Sequence, residues 1–252
     1  MNVLEVENLS IMFGGLKAVD NFNIVVKKGE LVGLIGPNGA GKTTIFNLLT
    51  GVYVPNEGSI KLNNVNIINV KPSQIVMLGS SRTFQNIRLF KNMTVLDNIK
   101  VAYHNEMDYG IFASIFKTKK FKDEEERANR VALELLRVFS LEAFSDEIAK
   151  NLPYGKQRKL EIARALATNS KLLLLDEPAA GMNPQETKEL METIRLIKDQ
   201  FKVSILLIEH DMKLVMGICE RIVVIDYGKI IAKGTPEEIR KNKNVIKAYL
   251  GE

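Results

Sequence analysis

Cysteine occurs once in the 252 residues, at Cys219. A lone cysteine excludes an internal disulfide and suits a reducing compartment. No stretch approaches the ~20 uninterrupted apolar residues that a membrane-spanning helix needs. The N-terminus, Met1-Asn2-Val3-Leu4-Glu5, has no basic segment followed by an apolar run, so no secretory leader is expected and the location predicted is cytoplasmic. Internal repeats and low-complexity tracts are missing too, which excludes solenoid and fibrous architectures. The net charge of +5 comes from lysines spread along the chain, apart from Lys117, Lys119, Lys120 and Lys122. That reads as a mixed surface with a slight lysine excess, and no nucleic-acid partner is expected. Hydrophobic residues make up 46% and charged residues 26%, the proportions of an ordinary globular protein with room for one large domain or two small ones.

What is present centres on Leu31 to Thr44. The apolar run Leu31-Val32-Gly33-Leu34-Ile35 reads as a buried strand that breaks at Gly36. The G-x-x-x-x-G-K-[ST] pattern follows as Gly36, Pro37, Asn38, Gly39, Ala40, Gly41, Lys42 and Thr43, with Thr44 after it and Ile45 to Leu49 as the next helix. Strand before and helix after is the context this motif requires. Gly36, Gly39 and Gly41 let successive backbone N–H groups point into one hollow, and the helix N-terminus adds its positive end there. Lys42 is placed to reach β- and γ-phosphates, and the Thr43 hydroxyl to ligate Mg²⁺.

Upstream, Val3 to Ile11 and Ala18 to Val26 alternate as half-buried strands around a Gly14-Gly15 turn. Ser59 to Leu62 and Val65 to Ile67 flank Asn63-Asn64 as a hairpin. From Thr94 the pattern is helical, with Thr94 and Asp97 as a cap and Val95, Ile99 and Ala102 on one apolar face. Residues 105 to 121, with Tyr109, Ile111, Phe112, Ile115 and Phe116, read as irregular; packing on the helical part is the favoured expectation, with contact to a partner or to lipid as alternatives. Ala128, Val131, Leu135 and Val138 then recur at helical spacing. The α/β rhythm returns with the strand Leu172 to Leu175, a helix opened by Asn183, Pro184 and Glu186, and the strand Val203 to Ile208. A hairpin of Arg221 to Asp226 with Lys229 to Ala232 follows, and Thr235-Pro236-Glu237-Glu238 opens a last helix.

Two of these strands deliver acids and a histidine. Asp176 emerges at the carboxyl end of its buried strand, where open parallel sheets place ligands, and can hold Mg²⁺. Glu177, one residue on, is free to take a proton from an attacking water. The next strand delivers Glu209-His210-Asp211, with His210 placed to reach a γ-phosphate or that water. His104, the other histidine, lies among polar residues and gets no role.

Together with Gln85 and the glycine-containing stretch at Leu152 to Ala165, these residues resemble an ATP-binding cassette ATPase over essentially the whole chain. Leu4 to Asp20, Ser81 to Phe90, Asp176 to Pro184, Ile208 to Met216, and Gly234 through Gly251 make it similar to the ATP-binding subunits of branched-chain amino acid importers. The resemblance implies an α/β P-loop NTPase fold: a mixed, mainly parallel sheet core, an N-terminal antiparallel β subdomain and an inserted α-helical subdomain. It divides the single cassette into 1–89 with 166–252 as ATP-binding core and 90–165 as helical subdomain. Phe13 matches the aromatic that stacks on adenine, Gln85 a glutamine touching Mg²⁺ or the water, and His210 the switch histidine.

The resemblance also implies a head-to-tail dimer with a second ATPase subunit, identical or different. Each site would then be closed in trans by Tyr154, Gly155, Lys156 and Gln157 of the other subunit. An integral membrane permease would dock after Gln85, near Arg88, Leu89 and Phe90, and hold the subunit at the inner face of the membrane. Two departures from the family pattern stand out. Pro153 replaces the serine of the Leu-Ser-Gly-Gly-Gln signature, and Asn183 replaces a frequent aspartate. Other expectations compete: a cassette of another transport system such as lipopolysaccharide export or other amino acid uptake, or a regulatory cassette. A nucleic-acid maintenance ATPase would carry coiled-coil heptads or two cassettes in one chain, and a P-loop kinase an acceptor pocket and lid.

Overall fold

The chain opens with β1 (Asn2–Phe13) and β2 (Leu16–Lys27), an antiparallel pair. Then come β3 (Leu31–Ile35), α1 (Lys42–Leu49), β4 (Glu57–Leu62), β5 (Val65–Asn66), α2 (Pro72–Met77) and β6 (Ser80–Arg82). Next are α3 (Val95–Tyr103), α4 (Ile111–Ile115), α5 (Lys119–Val138) and α6 (Tyr154–Leu166). β7 (Leu172–Asp176), α7 (Pro184–Phe201), β8 (Ser204–Ile208), α8 (Met212–Ile218), β9 (Arg221–Asp226), β10 (Lys229–Gly234), α9 (Pro236–Lys241) and α10 (Lys243–Leu250) complete the order. This computed structural model describes residues 1–250, so Gly251, part of the C-terminal stretch noted above, lies outside the described residues. Contacts divide the chain into two compact units, Met1–Gln85 with the chain from Lys171 on, and Asn86–Ser170.

The first unit holds two sheets, one ordered β2-β1-β4-β5 and antiparallel, the other β10-β9-β3-β8-β7-β6. The second is parallel except for β10 at its edge. β3, β7 and β8 are buried at every position, which is why they read as unbroken apolar runs and not as alternating ones. Alternate residues nevertheless face opposite ways. Val32, Leu34, Leu174, Leu206 and Val223 join α1 and the antiparallel sheet in one core, to which α1 brings Ile45, Phe46, Leu48 and Leu49. On the other face a Cβ at Gly33 would stand 3.0 Å from Cys219 Sγ and 3.4 Å from Val215, so α8 presses directly on the strand. α7 buries Leu190, Ile194 and Ile197 at helical spacing. Its first turn is closed by a reciprocal cap between Asn183 and Glu186.

Parallel pairing of β3 and β7 on either side of β8 brings three strand ends to one edge. Gly36, Glu177 and Glu209-His210 leave the sheet together there, as the crevice rule for open α/β sheets requires.

The second unit is helical, with α3, α5 and α6 packed on one another. The Thr94 hydroxyl accepts the Asp97 N–H at 3.0 Å, the cap expected for α3. Three expectations need correction. Residues 105–121 are not all irregular: they contain α4, and α5 begins at Lys119 because the Thr118 hydroxyl accepts the Phe121 N–H. The buried stripe of α5 is Ala128, Ala132, Leu135 and Leu136, while Val131 and Val138 sit at its margin. A spacing of three or four fits both stripes, and packing selects between them. The insert packs only in part. The Tyr109 ring meets Phe121 edge-on at 5.1 Å and its hydroxyl donates to Glu125 Oε1 at 2.8 Å, but Phe112, Ile115 and Phe116 are exposed.

Candidate functional site

The loop between β3 and α1 is shaped by close backbone approaches. Gly41 has φ 103°, and a Cβ there would lie 2.6 Å from the Ala18 carbonyl oxygen. Gly39 also lies at positive φ, 80°, but a Cβ there would meet nothing within 4 Å, because it faces open space. The Ala40 carbonyl accepts the Gly228 N–H at 3.0 Å, and the Gly228 carbonyl accepts the Asp20 N–H at 2.9 Å. The β9–β10 turn is thereby pinned to both the loop and β2. Lys42 is buried, and its Nζ donates to the carbonyls of Gly36 and Pro37 at 2.7 and 2.8 Å. Burial lowers its pKa, against the opposing pull of Glu177 and Asp176.

Glu177 follows β7 directly and adopts φ +46°, a left-handed conformation unusual for a side chain of this size. Its N–H donates to the Ile208 carbonyl at 2.9 Å. One carboxylate oxygen, Oε1, lies 2.6 Å from His210 Nε2, and the other accepts Gln85 Nε2 at 2.9 Å. Two residues from separate segments, Gln85 and His210, thus converge on the carboxylate that a third, after β7, presents. Glu177 and His210 share with Asn38, Gly39, Gly41, Lys42, Thr43 and Thr44 the wall of an open cavity of about 430 Å³. Phe13, Leu16, Lys17 and Ala18 also line it. Phe13 is partly exposed and packs its ring edge-on against Tyr53 at 5.2 Å.

Asp176 is not a bare strand-end acid. Its Oδ2 lies 2.6 Å from Arg82 Nη2, with both side chains nearly buried. Arg82 also donates to Asn47 Oδ1 at 2.7 Å and stacks between the Phe46 and Phe84 rings, 5.4 and 5.1 Å from their centroids. Gly36, Pro37, Ala40, Gln85 and Asp176 are not among the residues that line the cavity; the first two hold Lys42, and Gln85 holds Glu177.

Comparison with known proteins bears on this arrangement. The family described as "ABC transporter" matches residues 19–180. The chain belongs to the ABC transporter family. A second family, described as "Branched-chain amino acid ATP-binding cassette transporter", matches residues 229–252 of the cassette. The cassette is 50% identical over 251 residues to the high-affinity branched-chain amino acid transport ATP-binding protein LivG of Escherichia coli, covering 99% of this chain and 98% of the relative. It is 49% identical over 250 residues to BraF of Pseudomonas aeruginosa, which carries the same description, with coverages of 99% and 98%. Among solved structures, an ATP-binding cassette of an ABC transporter in its ADP conformation superposes with a TM-score of 0.85 at 32% identity over 100% of both chains.

The residues expected to act in trans lie in the second unit of the cassette. Pro153 precedes α6, whose first turn is Tyr154, Gly155, Lys156 and Gln157. Gln157 Nε2 donates to the Leu152 carbonyl at 2.8 Å, and the Lys156 ammonium sits 3.5 Å from the Phe144 centroid. The Tyr154 hydroxyl accepts from Arg158, which is fully buried and paired with Glu161 at 2.7 Å. Arg88 leans on the same pair through its N–H, which donates to Glu161 Oε1 at 3.0 Å. The side chains of Lys156 and Gln157 are engaged locally and the Gln157 N–H donates to the Pro153 carbonyl at 3.0 Å, so α6 presents the exposed Tyr154 side chain and the backbone N–H groups that open the helix.

Sequence reasoning gave no role to Arg82 or Glu209. Glu209 is 4% exposed, and its carboxylate accepts the N–H groups of Ala179, His210 and Asp211. Burial pushes its pKa up, against those donors. The available signal for each was an ionisable residue within or directly after a buried strand.

Proposed function

We propose that this chain is the ATP-hydrolysing subunit of an importer of branched-chain amino acids. The observation that carries the mechanism is the Glu177 carboxylate, held by Gln85 and His210 in the cavity that Lys42 and Thr43 also line. A carboxylate fixed from both sides can orient a water and accept its proton as that water attacks the γ-phosphate. Lys42 exchanges the carbonyls of Gly36 and Pro37 for phosphate oxygens, countering charge as it develops. The backbone N–H groups from Asn38 to Thr44 cradle the phosphates, and Phe13 offers an aromatic face to the adenine.

Thr43, Gln85 and Asp176 are the residues that would hold Mg²⁺. Their donors are hard oxygens, which suits a Mg²⁺ bound partly through water and nucleotide phosphates. Held there, the ion would supply charge neutralisation to the phosphates. Asp176 would reach it with Arg82 still at its other side. His210 keeps Glu177 in place through turnover.

A second cassette would complete the site with the α6 N-terminus of its own copy, and a membrane permease would carry the substrate. The assignment to branched-chain amino acids is supported by the descriptions of relatives sharing about half of this sequence. Association with the inner face would run through the permease; no described helix is long and apolar enough to cross a membrane.

Glu177→Gln tests the mechanism. The variant keeps nucleotide affinity and loses steady-state phosphate release by about 10²- to 10⁴-fold. Unchanged turnover removes Glu177 from its role as base. Labelled leucine, isoleucine and valine offered to proteoliposomes holding the reconstituted transporter test the substrate class, with arginine as control.

A further inference from the structure

Glu209 takes no part in the mechanism above, yet it is buried at the edge of the site with both oxygens in use. Oε1 accepts the Ala179 N–H at 2.7 Å. Oε2 accepts the His210 N–H at 2.9 Å and the Asp211 N–H at 3.3 Å. Ala179 and Glu177 share the loop after β7; His210 and Asp211 share the loop after β8. One carboxylate therefore ties together the two loops whose side chains meet at the Glu177–His210 contact. The same neighbourhood must keep Glu177 in its left-handed conformation. It does so by the Glu177 N–H bond to Ile208, by the Ala180 N–H bond to the Glu177 carbonyl at 3.1 Å, and by the Ala179 bond to Glu209. Such backbone states persist only where surrounding contacts over-determine them.

We propose that Glu209 is a positioning residue for ATP hydrolysis, a staple that holds the Glu177 loop against the His210 loop. The proposal rests on the reading that Glu177 and His210 carry the reaction. Glu209 touches neither nucleotide nor water; it acts through the backbone of its neighbours. Both oxygens are needed, because the two loops take one each. Glutamine keeps the size of the side chain but has one acceptor oxygen, and its NH₂ must confront an N–H donor in either orientation. Aspartate keeps the charge but is one methylene too short to span both loops, so it restores the function in part.

The experiment compares the full chain with Glu209→Gln, Glu209→Asp and Glu177→Gln. It measures nucleotide affinity, steady-state phosphate release and the ring resonances of His210. His104 is the only other histidine, so the spectrum is simple to assign. The expected result for Glu209→Gln is nucleotide affinity within about threefold of wild type and kcat lower by about ten- to a hundredfold, the scale of a small misplacement of catalytic groups. KM is unchanged, the His210 ring signals shift while those of His104 do not, and Glu209→Asp falls between. A kcat within twofold of wild type overturns the proposal. So does a loss of affinity and melting temperature with the His210 signals unmoved, which marks a purely structural residue.

If Glu209→Gln does not fold, the wild-type protein still decides. Slow hydrogen exchange at the Ala179 and His210 amides supports the staple, and exchange at the rate of open loops overturns it. A Glu177→Gln variant that hydrolyses ATP normally removes the underlying mechanism and this proposal with it. An inactive Glu177→Gln beside a fully active Glu209→Gln removes this proposal alone.

Discussion

Replacing Arg82 with methionine removes the cation facing Asp176 at the end of β7 while keeping an unbranched apolar stem between Phe46 and Phe84. The Arg82 and Asp176 side chains are 6% and 7% exposed and meet at 2.6 Å, so the ~0–1 kcal/mol of a surface pair does not apply. Taking one partner from a buried pair strands the other charge, and the usual cost is about 3–5 kcal/mol. The Asn47 bond adds about 1 kcal/mol, and loss of the contacts with the two rings a similar amount. Methionine recovers part of this through packing, so a net loss of about 3–5 kcal/mol is expected. In urea, with a slope of ~2–3 kcal/mol per molar, the midpoint falls by roughly 1–2.5 M. Pulse proteolysis with far-UV circular dichroism follows the transition. Combining Arg82→Met with Asp176→Asn removes the stranded carboxylate, so the double variant costs less than the sum of the singles by about 1–3 kcal/mol. A single-variant loss under about 1 kcal/mol, or strictly additive costs, refutes the view that this pair fixes Asp176.

Two further predictions come from the phosphate loop and the lone cysteine. Gly41→Ala drives a Cβ to 2.6 Å from the Ala18 carbonyl. It is expected to abolish nucleotide binding in a fluorescent-nucleotide titration, whereas Gly39→Ala carries only a left-handed penalty of ~1–2 kcal/mol. Equal effects of the two would contradict the packing described. Burial pushes the Cys219 thiol from an ordinary 9.0 up to about 12. Between those values the folded chain keeps a proton that the unfolded chain has lost, so stability declines with rising pH by up to ~1.4 kcal/mol per unit. Denaturation between pH 9 and 10.5 therefore shows a shallower decline for Cys219→Ala than for wild type; identical slopes count against the buried thiol.

The strands that build the site were readable because burial on both faces leaves an unbroken apolar run. Leu172 to Leu175 and Ile205 to Ile208 are such runs, too short for helices of their own, and the acids and histidine that end them follow in chain order. Caps at Thr94, Asn183 and Thr235 were equally legible, since one side chain and one backbone N–H three residues on define each. Arg82 was not, because its meaning depends on Asp176, 94 residues away, and a lone arginine after two serines reads as a solvated charge. Glu209 was masked by its company: in a run of Glu, His and Asp, nothing local says which carboxylate turns inward. For α5 the periodicity allowed two overlapping stripes, and only contact with α3 and α6 chose the one with Ala132 and Leu136.

The turn at Tyr227-Gly228 has a bearing on how this protein can be engineered. Tyr227 is 85% exposed at the tip of a two-stranded hairpin, and such tips are the usual choice for grafting an epitope, a fluorophore or a new terminus. Here the tip is a clasp. Its Gly228 backbone grips Ala40 on one side and Asp20 on the other, and a Cβ at Gly228 would stand 2.7 Å from the Ala18 carbonyl. A segment spliced in at this turn would release Ala40 and Asp20 together, so the disturbance would reach the phosphate loop and β2 directly.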